Sequence, residues 1–334
     1  MKIAIHDHLY ALGQRNLVYN YNFKYFSNRN NEDYGVPDGW VYTDKGKDGY
    51  IKFDATTQEV ILIKSDGNET LTFTQALHEF PRWQEMLCGE IVTGKVELST
   101  ENNGAIHISL SDGLSTYTVT KSTKGASTID LQLKVEEKAT QLVLKIETQV
   151  PLIQFRVKQC YVNIGKVSVK HLPCMVEGII GERKQYIATE NPPAEELSLC
   201  KAAMELDDQY TRLNSVLNYR FGQGEKGNSL LIDMRGYFSR AWDNGALVDA
   251  NASDRTAPGK GILTGDHVST VEQDSFLQHE HPLNFTVNTT QSTTGGSGPT
   301  TNLVTPVPSK TKEALDGKET RPKNIAELYT IKWA

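Results

Sequence analysis

The residues most suited to chemistry are two histidines near the C-terminus, His279 and His281, separated by Glu280. If this tripeptide is extended, the two-residue period of a strand places both imidazoles on one face and Glu280 on the other. Two imidazoles are too few for zinc, which takes four ligands. Three chains around a threefold axis would supply an octahedral shell of imidazoles, which suits iron(II) better than tetrahedral zinc. The spacing of His279 and His281 is therefore compatible with half of a structural iron or zinc site that three chains would complete.

A His-x-His pair also arises by chance, so its sequence context decides between these alternatives. Two ordered groups of motifs surround it: Asp233-Met-Arg-Gly-Tyr-Phe-Ser-Arg240, Trp242-Asp-Asn-Gly245 and Gly265-Asp266 before it, then Arg321-Pro-Lys-Asn-Ile-Ala326 and Tyr329-Thr-Ile-Lys332 after it. With these motifs, residues 205–334 resemble the phage tail collar family, the receptor-binding ends of tail fibres. The resemblance implies an intertwined, β-rich homotrimer whose axial ion is held by His279 and His281.

Composition limits the classes of function. The chain has 334 residues, which favours two or three domains, and a net charge of −6 with no basic run, which disfavours nucleic acid as a partner. It has no apolar run long enough to insert into a membrane and no secretory signal at its N-terminus. The cysteines form no CxxC pair, which is typical of buried thiols in a protein made in the reducing bacterial cytoplasm.

A β-sandwich is predicted for residues 15–172, after a polar lead-in at 1–14. Apolar and polar residues alternate in seven segments separated by glycine turns, namely 50–54, 59–64, 70–74, 105–110, 128–135, 141–147 and 153–157. The segments Asn16-Leu-Val-Tyr-Asn20, Pro37-Asp-Gly-Trp40 and Val162-Asn-Ile-Gly165 resemble carbohydrate-binding jelly rolls. Such domains bind sugar on an aromatic face, for which the candidates are Trp40, Tyr42, Tyr50 and Trp83. The alternative is that Trp40 and Trp83 are core residues.

A helical linker is predicted for residues 173–218. Asn191-Pro-Pro is typical of a helix start, and the helix is expected to end near Leu217. Its apolar residues recur every three or four positions, at Leu199, Ala203, Leu206, Tyr210, Leu213 and Leu217. That spacing fits a coiled-coil seam or an ordinary packed helix. Because the predicted axial metal also requires three chains, a trimerising seam is favoured.

The remaining residues, 219–334, are predicted to form the receptor-binding tip. We interpret Asp233, Arg235, Arg240, Asp243 and Asp249 as Arg–Asp pairs that brace loops, rather than as acid–base catalysts. A polar stretch then follows, and loops of this kind tolerate the variation that binding requires. Its candidate receptor contacts are Asn288, Thr293, Thr294, Thr300, Thr301 and Asn302.

Taken together, these patterns predict a mainly β protein without catalytic residues. The implied function is that of a homotrimeric tail-fibre protein in the tail of a phage or a phage-derived contractile device. Its expected partners are a bacterial surface polysaccharide or lipopolysaccharide and other tail or baseplate proteins. The alternative is a glycan-degrading tail spike, which requires two carboxylates facing a groove.

Overall fold

The computed structural model describes residues 14–27, 35–46, 48–273 and 324–334. Its largest part is a sandwich of two five-stranded antiparallel sheets. In spatial order the first sheet contains β1 (Val41–Thr43), β4 (Leu71–Ala76), β9 (Val143–Thr148), β6 (Ile106–Ser111) and β7 (Thr116–Lys121). The second contains β2 (Tyr50–Asp54), β3 (Glu59–Ile63), β10 (Gln154–Ile164), β5 (Ile91–Thr100) and β8 (Gly125–Lys134). The predicted mainly β class and the N-terminal sandwich are confirmed.

Side-chain alternation explains why these segments pair. Along β9, Leu144 and Ile146 are fully buried while the residues on either side of them are half-buried, and β5 and β8 show a similar alternation over most of their length. Apolar residues from both sheets form one continuous core. All seven predicted segments are strands, whereas β1, β5 and β7 were not predicted. In β5 the apolar pattern is interrupted by Gly94, whose missing side chain leaves space for Val162 and Leu110.

A second, smaller lobe contains an antiparallel sheet in the order β11 (Arg183–Tyr186), β13 (Leu328–Lys332) and β12 (Glu196–Ser198). The C-terminal strand β13 therefore lies between two strands that precede it by more than a hundred positions. The described helices are α1 (Trp83–Leu87), α2 (Thr211–Leu217) and a 3-10 turn at Ala252–Asp254. None of them is long and apolar enough to cross a membrane.

The predicted helix from Asn191 to Leu217 is wrong, because only its last seven residues are helical. Glu196 lies instead in β12, where its buried carboxylate accepts hydrogen bonds from Tyr186 and Thr330. The predicted seam is not an exposed stripe either. Four of its leucines are buried in the core of the second lobe, where Ile331 of β13 and Leu231 also lie: Leu199, Leu206, Leu213 and Leu217.

Residues 219–272 are mostly loops held by polar contacts. The predicted Arg–Asp pairs are confirmed in part: Arg235 contacts Asp233 at 2.6 Å, and Arg240 contacts Asp249 at 3.2 Å. Asp243 accepts backbone N–H groups from 247–249 instead. The described residues up to Glu272, with Glu327–Ala334, form one compact unit, and Gln273 and 324–326 belong to a second.

Candidate functional site

A groove of about 800 Å³ lies between the sandwich and the second lobe. One wall is the outer face of the first sheet at the β1–β4–β9 edge, where Val41, Thr74 and Val143 point away from the core. Thr74 is paired with Val41, and its neighbour Phe73 points inward, so the two-residue period sets which side chains face the groove. The opposite wall comes from Asp208, Gln209, Thr211 and Trp333. We call this site the tryptophan groove, because Trp83 and Trp333 both line it.

The two tryptophans come from different lobes. Trp83 opens α1 directly after Arg82, whose left-handed backbone (φ 62°) is unusual for a residue with a side chain. The rings of Trp83 and His78 pack edge to face, with their centroids 5.1 Å apart. Trp333 follows β13, donates its indole N–H to the carbonyl of Ala194 at 3.1 Å and is half-buried. Each ring therefore has its orientation fixed by contacts within the chain.

A buried ion pair joins the lobes beneath the groove. Glu79 and Arg212 have side chains 0% and 1% exposed, and Arg212 Nε lies 3.2 Å from the Glu79 carboxylate. Glu79 also accepts the backbone N–H groups of Thr211 at 2.7 Å and Arg212 at 2.9 Å, and the Thr211 hydroxyl. It therefore caps the N-terminus of α2 from another part of the chain, and satisfies donors that the helix itself cannot pair. This contact fixes the position of Thr211 in the groove.

His78 has a defined tautomer. Its Nδ1 lies 3.1 Å from both the N–H and the carbonyl of Leu142, but that carbonyl already accepts the N–H of Leu77 at 2.7 Å. The buried N–H of Leu142 needs an acceptor, so we assign Nδ1 as the acceptor and place the proton on Nε2. Burial lowers the pKa of His78 below its ordinary value of 6.5. At neutral pH the ring is therefore uncharged and Nε2–H is a donor.

This combination of groups suits a sugar. The faces of indole rings carry negative partial charge and stack on the C–H groups of a pyranose ring. The surrounding amides and hydroxyls supply donors and acceptors that fix the orientation of its hydroxyls. The side-chain amides of Gln141 and Gln209 make no hydrogen bond with other described residues, so both are available to a ligand.

The four predicted sugar contacts do not share one face. Trp40 is a core residue, as the alternative interpretation of the sequence had it: it is 0% exposed and stacks on Phe73 with ring centroids 4.4 Å apart. Tyr42 is opposite Phe73 in the β1–β4 register, so it points inward and packs against the core. Tyr50 is 40% exposed, but it lies on the outer face of the second sheet. Of the four, Trp83 alone lines the groove.

Sequence reasoning missed Trp333 and His78. Trp333 directly follows the C-terminal motif Tyr329-Thr-Ile-Lys332, but nothing in the local sequence pattern places it beside Trp83. His78 follows β4 without any motif around it. Only the pairing of β13 with β11 and β12 brings the C-terminus to this position.

Several predicted sites lie outside the described residues: the metal ligands His279 and His281, and the candidate receptor contacts Asn288, Thr293, Thr294, Thr300, Thr301 and Asn302. The iron or zinc ion therefore stays a prediction. Elsewhere, in the part of the chain that the structure describes, no group of three or more potential ligands is assembled.

A second concave surface lies where the predicted tip meets the second lobe. It encloses about 810 Å³ and is lined by an apolar patch of Tyr237, Phe238, Trp242 and Val268, whose side chains are 42–62% exposed. Beside it, Asp249 lies 2.9 Å from Arg255, which also contacts Glu272. Large exposed apolar side chains grouped in one place are typical of a surface that contacts another molecule.

Comparisons with known proteins give limited matches. No protein-family model matches the sequence. The chain is 31% identical over 127 residues to Protein RhiB of Rhizobium leguminosarum bv. viciae; the match covers 37% of this chain and 58% of RhiB, which is less than two thirds of that protein. The resemblance to the tail collar family therefore stays a prediction.

Two solved structures illustrate the structural likeness. TmCBM61 in complex with β-1,4-galactotriose is 12% identical, covers 45% of this chain and 99% of its own, and has a TM-score of 0.33. The enzymatically active domain of bacteriophage CBA120 tailspike protein 4 is 10% identical, covers 45% of this chain and 21% of its own, and has a TM-score of 0.34. These scores are low, whereas the strand pairing of this chain by itself defines the sandwich.

Proposed function

We propose that the chain is a homotrimeric adhesin of the tail-fibre type, which binds a bacterial surface polysaccharide or lipopolysaccharide in the tryptophan groove. The observation that carries the proposal is the placement of Trp83 and Trp333 in one groove with the unpaired amides of Gln141 and Gln209. In this function the chain belongs to the tail of a phage or phage-derived contractile device, and attaches to other tail or baseplate proteins.

The apolar patch supports the trimer. This patch exposes the aromatic and aliphatic side chains of Tyr237, Phe238, Trp242 and Val268 to water in a single chain. Burying such surface against another chain stabilises the assembly by about 25 cal/mol per Å². Further copies of this chain are the proposed occupants, because the His279–His281 half-site also needs partners to complete its shell. The leucines of the predicted seam are buried within one chain, so they are not available to a contact between chains.

Binding without catalysis is favoured by the carboxylates of the groove. Hydrolysis of a glycosidic bond requires two carboxyl groups that face the sugar. Glu79 is 0% exposed and is occupied by Arg212 and the N-terminus of α2, so it does not face a ligand. Asp208 then remains as a lone exposed carboxylate in the described groove.

Affinity electrophoresis in gels that contain host envelope polysaccharide tests the glycan site. Trp83→Ala and Trp333→Ala should each reduce the retardation at least tenfold, because an aromatic contact at a binding hot spot contributes about 2 kcal/mol or more. Tyr50→Ala is the matched control, since Tyr50 is exposed on the opposite sheet. If all three variants are retarded as strongly as the unaltered protein, the sugar binds outside the groove.

Light scattering tests the trimer independently. The unaltered protein should have three times the chain mass of 37.2 kDa. Phe238→Asp together with Trp242→Asp should shift it to the monomer mass, because charges in a desolvated interface are unfavourable. A monomeric unaltered protein would refute the assembly while leaving the glycan site to its own test.

A further inference from the structure

Most charged groups of the tryptophan groove are neutralised inside the chain. Arg82 donates Nε–H to Glu85 at 3.0 Å, and a second N–H of its guanidinium contacts the same oxygen. Glu79 is buried against Arg212. Asp208 differs from them, because it is exposed and forms no ion pair with any described residue. With Arg82 paired to Glu85 and Glu79 to Arg212, the described charges at the groove sum to one uncompensated negative charge, that of Asp208.

The uncharged polar groups have the opposite property. Gln141 and Gln209 each present an amide that donates and accepts, and Thr140 adds an exposed hydroxyl. None of these side chains makes a hydrogen bond within the described residues. His78 adds an Nε2–H donor from a neutral ring. Groups that both donate and accept match sugar hydroxyls, which also do both.

We infer that the tryptophan groove selects uncharged glycan segments and discriminates against segments that carry carboxylates or phosphates. The inference rests on the proposed glycan-binding function and specifies its ligand class. An anionic sugar is bound strongly where arginine or lysine forms a charge-assisted hydrogen bond to it. In this groove the charge of Arg82 is offset by the neighbouring Glu85, so the net charge that an anionic ligand meets is that of Asp208. Specificity then comes from a repulsive element as well as from attractive contacts.

Matched polysaccharides provide the test. Acidic bacterial polysaccharides are prepared in two forms, untreated and after chemical reduction of their carboxylates to neutral hexoses, and the affinity of the full chain for both is measured. The reduced forms should bind at least fivefold more tightly than their parents. Asp208→Lys should remove most of this ratio, because reversing one exposed charge changes affinity by roughly fivefold. Asp66→Lys is the control, since Asp66 is also exposed but does not line the groove.

The outcomes separate the two proposals. If acidic parents bind as tightly as their reduced forms, and Trp83→Ala abolishes that binding, the groove remains the glycan site and the charge selectivity is wrong. If Asp208→Lys and Asp66→Lys change the ratio equally, the discrimination arises from net charge and the assignment to Asp208 is overturned. If binding does not respond to Trp83→Ala or Trp333→Ala, the glycan function of the groove is wrong and the selectivity falls with it.

Discussion

Replacing Arg212 with methionine should destabilise the protein more than any exposed charge substitution. The side chains of Arg212 and Glu79 are 1% and 0% exposed, so water does not screen their interaction. Removing one partner of a buried ion pair typically costs about 3–5 kcal/mol, because the other charge is left uncompensated. Glu79 would keep the backbone N–H groups of Thr211 and residue 212, so we expect the lower end, about 3 kcal/mol. That loss reduces the folding equilibrium constant roughly a hundredfold.

Urea unfolding followed by tryptophan fluorescence measures this loss. Arg235→Met is the matched control, because its ion pair with Asp233 is on the surface and should leave the transition unchanged. In the double variant Glu79→Gln with Arg212→Met, the single amide oxygen can accept only one of the two helix N–H groups, but the side chain carries no buried charge. It should therefore recover part of the stability. The reasoning is refuted if Arg212→Met unfolds at the same urea concentration as Arg235→Met, or if the double variant is no more stable than the single one.

Three further predictions follow from residues already placed. Trp40→Ala should lower the free energy of unfolding by about 3–5 kcal/mol in thermal melts, and Tyr50→Ala should change it little. Burial lowers the pKa of His78, so the unfolded chain binds the proton more readily than the folded chain, and folding stability falls as pH drops below about 6.5. In thermal melts, the decrease in stability between pH 7 and pH 5 should therefore be smaller for His78→Gln than for the unaltered protein. Elemental analysis of untagged protein should give about one iron or zinc per three chains, which His279→Ala with His281→Ala should abolish, and a metal-free unaltered protein would contradict it.

The strands of the sandwich could be predicted because burial on one face leaves a period of two in the sequence. In β8 (Gly125–Lys134) the buried residues Ile129, Leu131 and Leu133 alternate with exposed ones, so the segment is recognisable without any tertiary information. Strand β1 spans only Val41–Thr43, which is too short for an alternation to be visible. For that reason the sequence left two interpretations of Trp40 open, a core residue or a sugar contact, and gave no sign that Tyr42 points inward.

The helix prediction failed for a different reason. Three leucines have the seven-residue spacing of a heptad, but each lies in a different element. Leu199 follows β12, Leu206 follows the isolated bridge at Glu205, and Leu213 is in α2. Each fills the same small core from a separate element, and their regular spacing does not require a continuous helix. The pairing of β12 with β13 satisfies the backbone around Glu196, and this long-range contact outweighs local helix propensity.

The tryptophan groove is built from both the sandwich and the second lobe, so the sandwich alone contains only one of its walls. A fragment of residues 15–172 retains Trp83 and His78, but it lacks Trp333, Gln209 and Thr211. It also leaves Glu79 without Arg212, its buried partner. We therefore expect the fragment to bind glycan at least tenfold more weakly than the full chain, provided that circular dichroism shows it folded. A folded fragment with full affinity would place the sugar on the sandwich alone. Weak binding that is restored by adding residues 173–273 and 324–334 would instead show that the groove needs both of its walls.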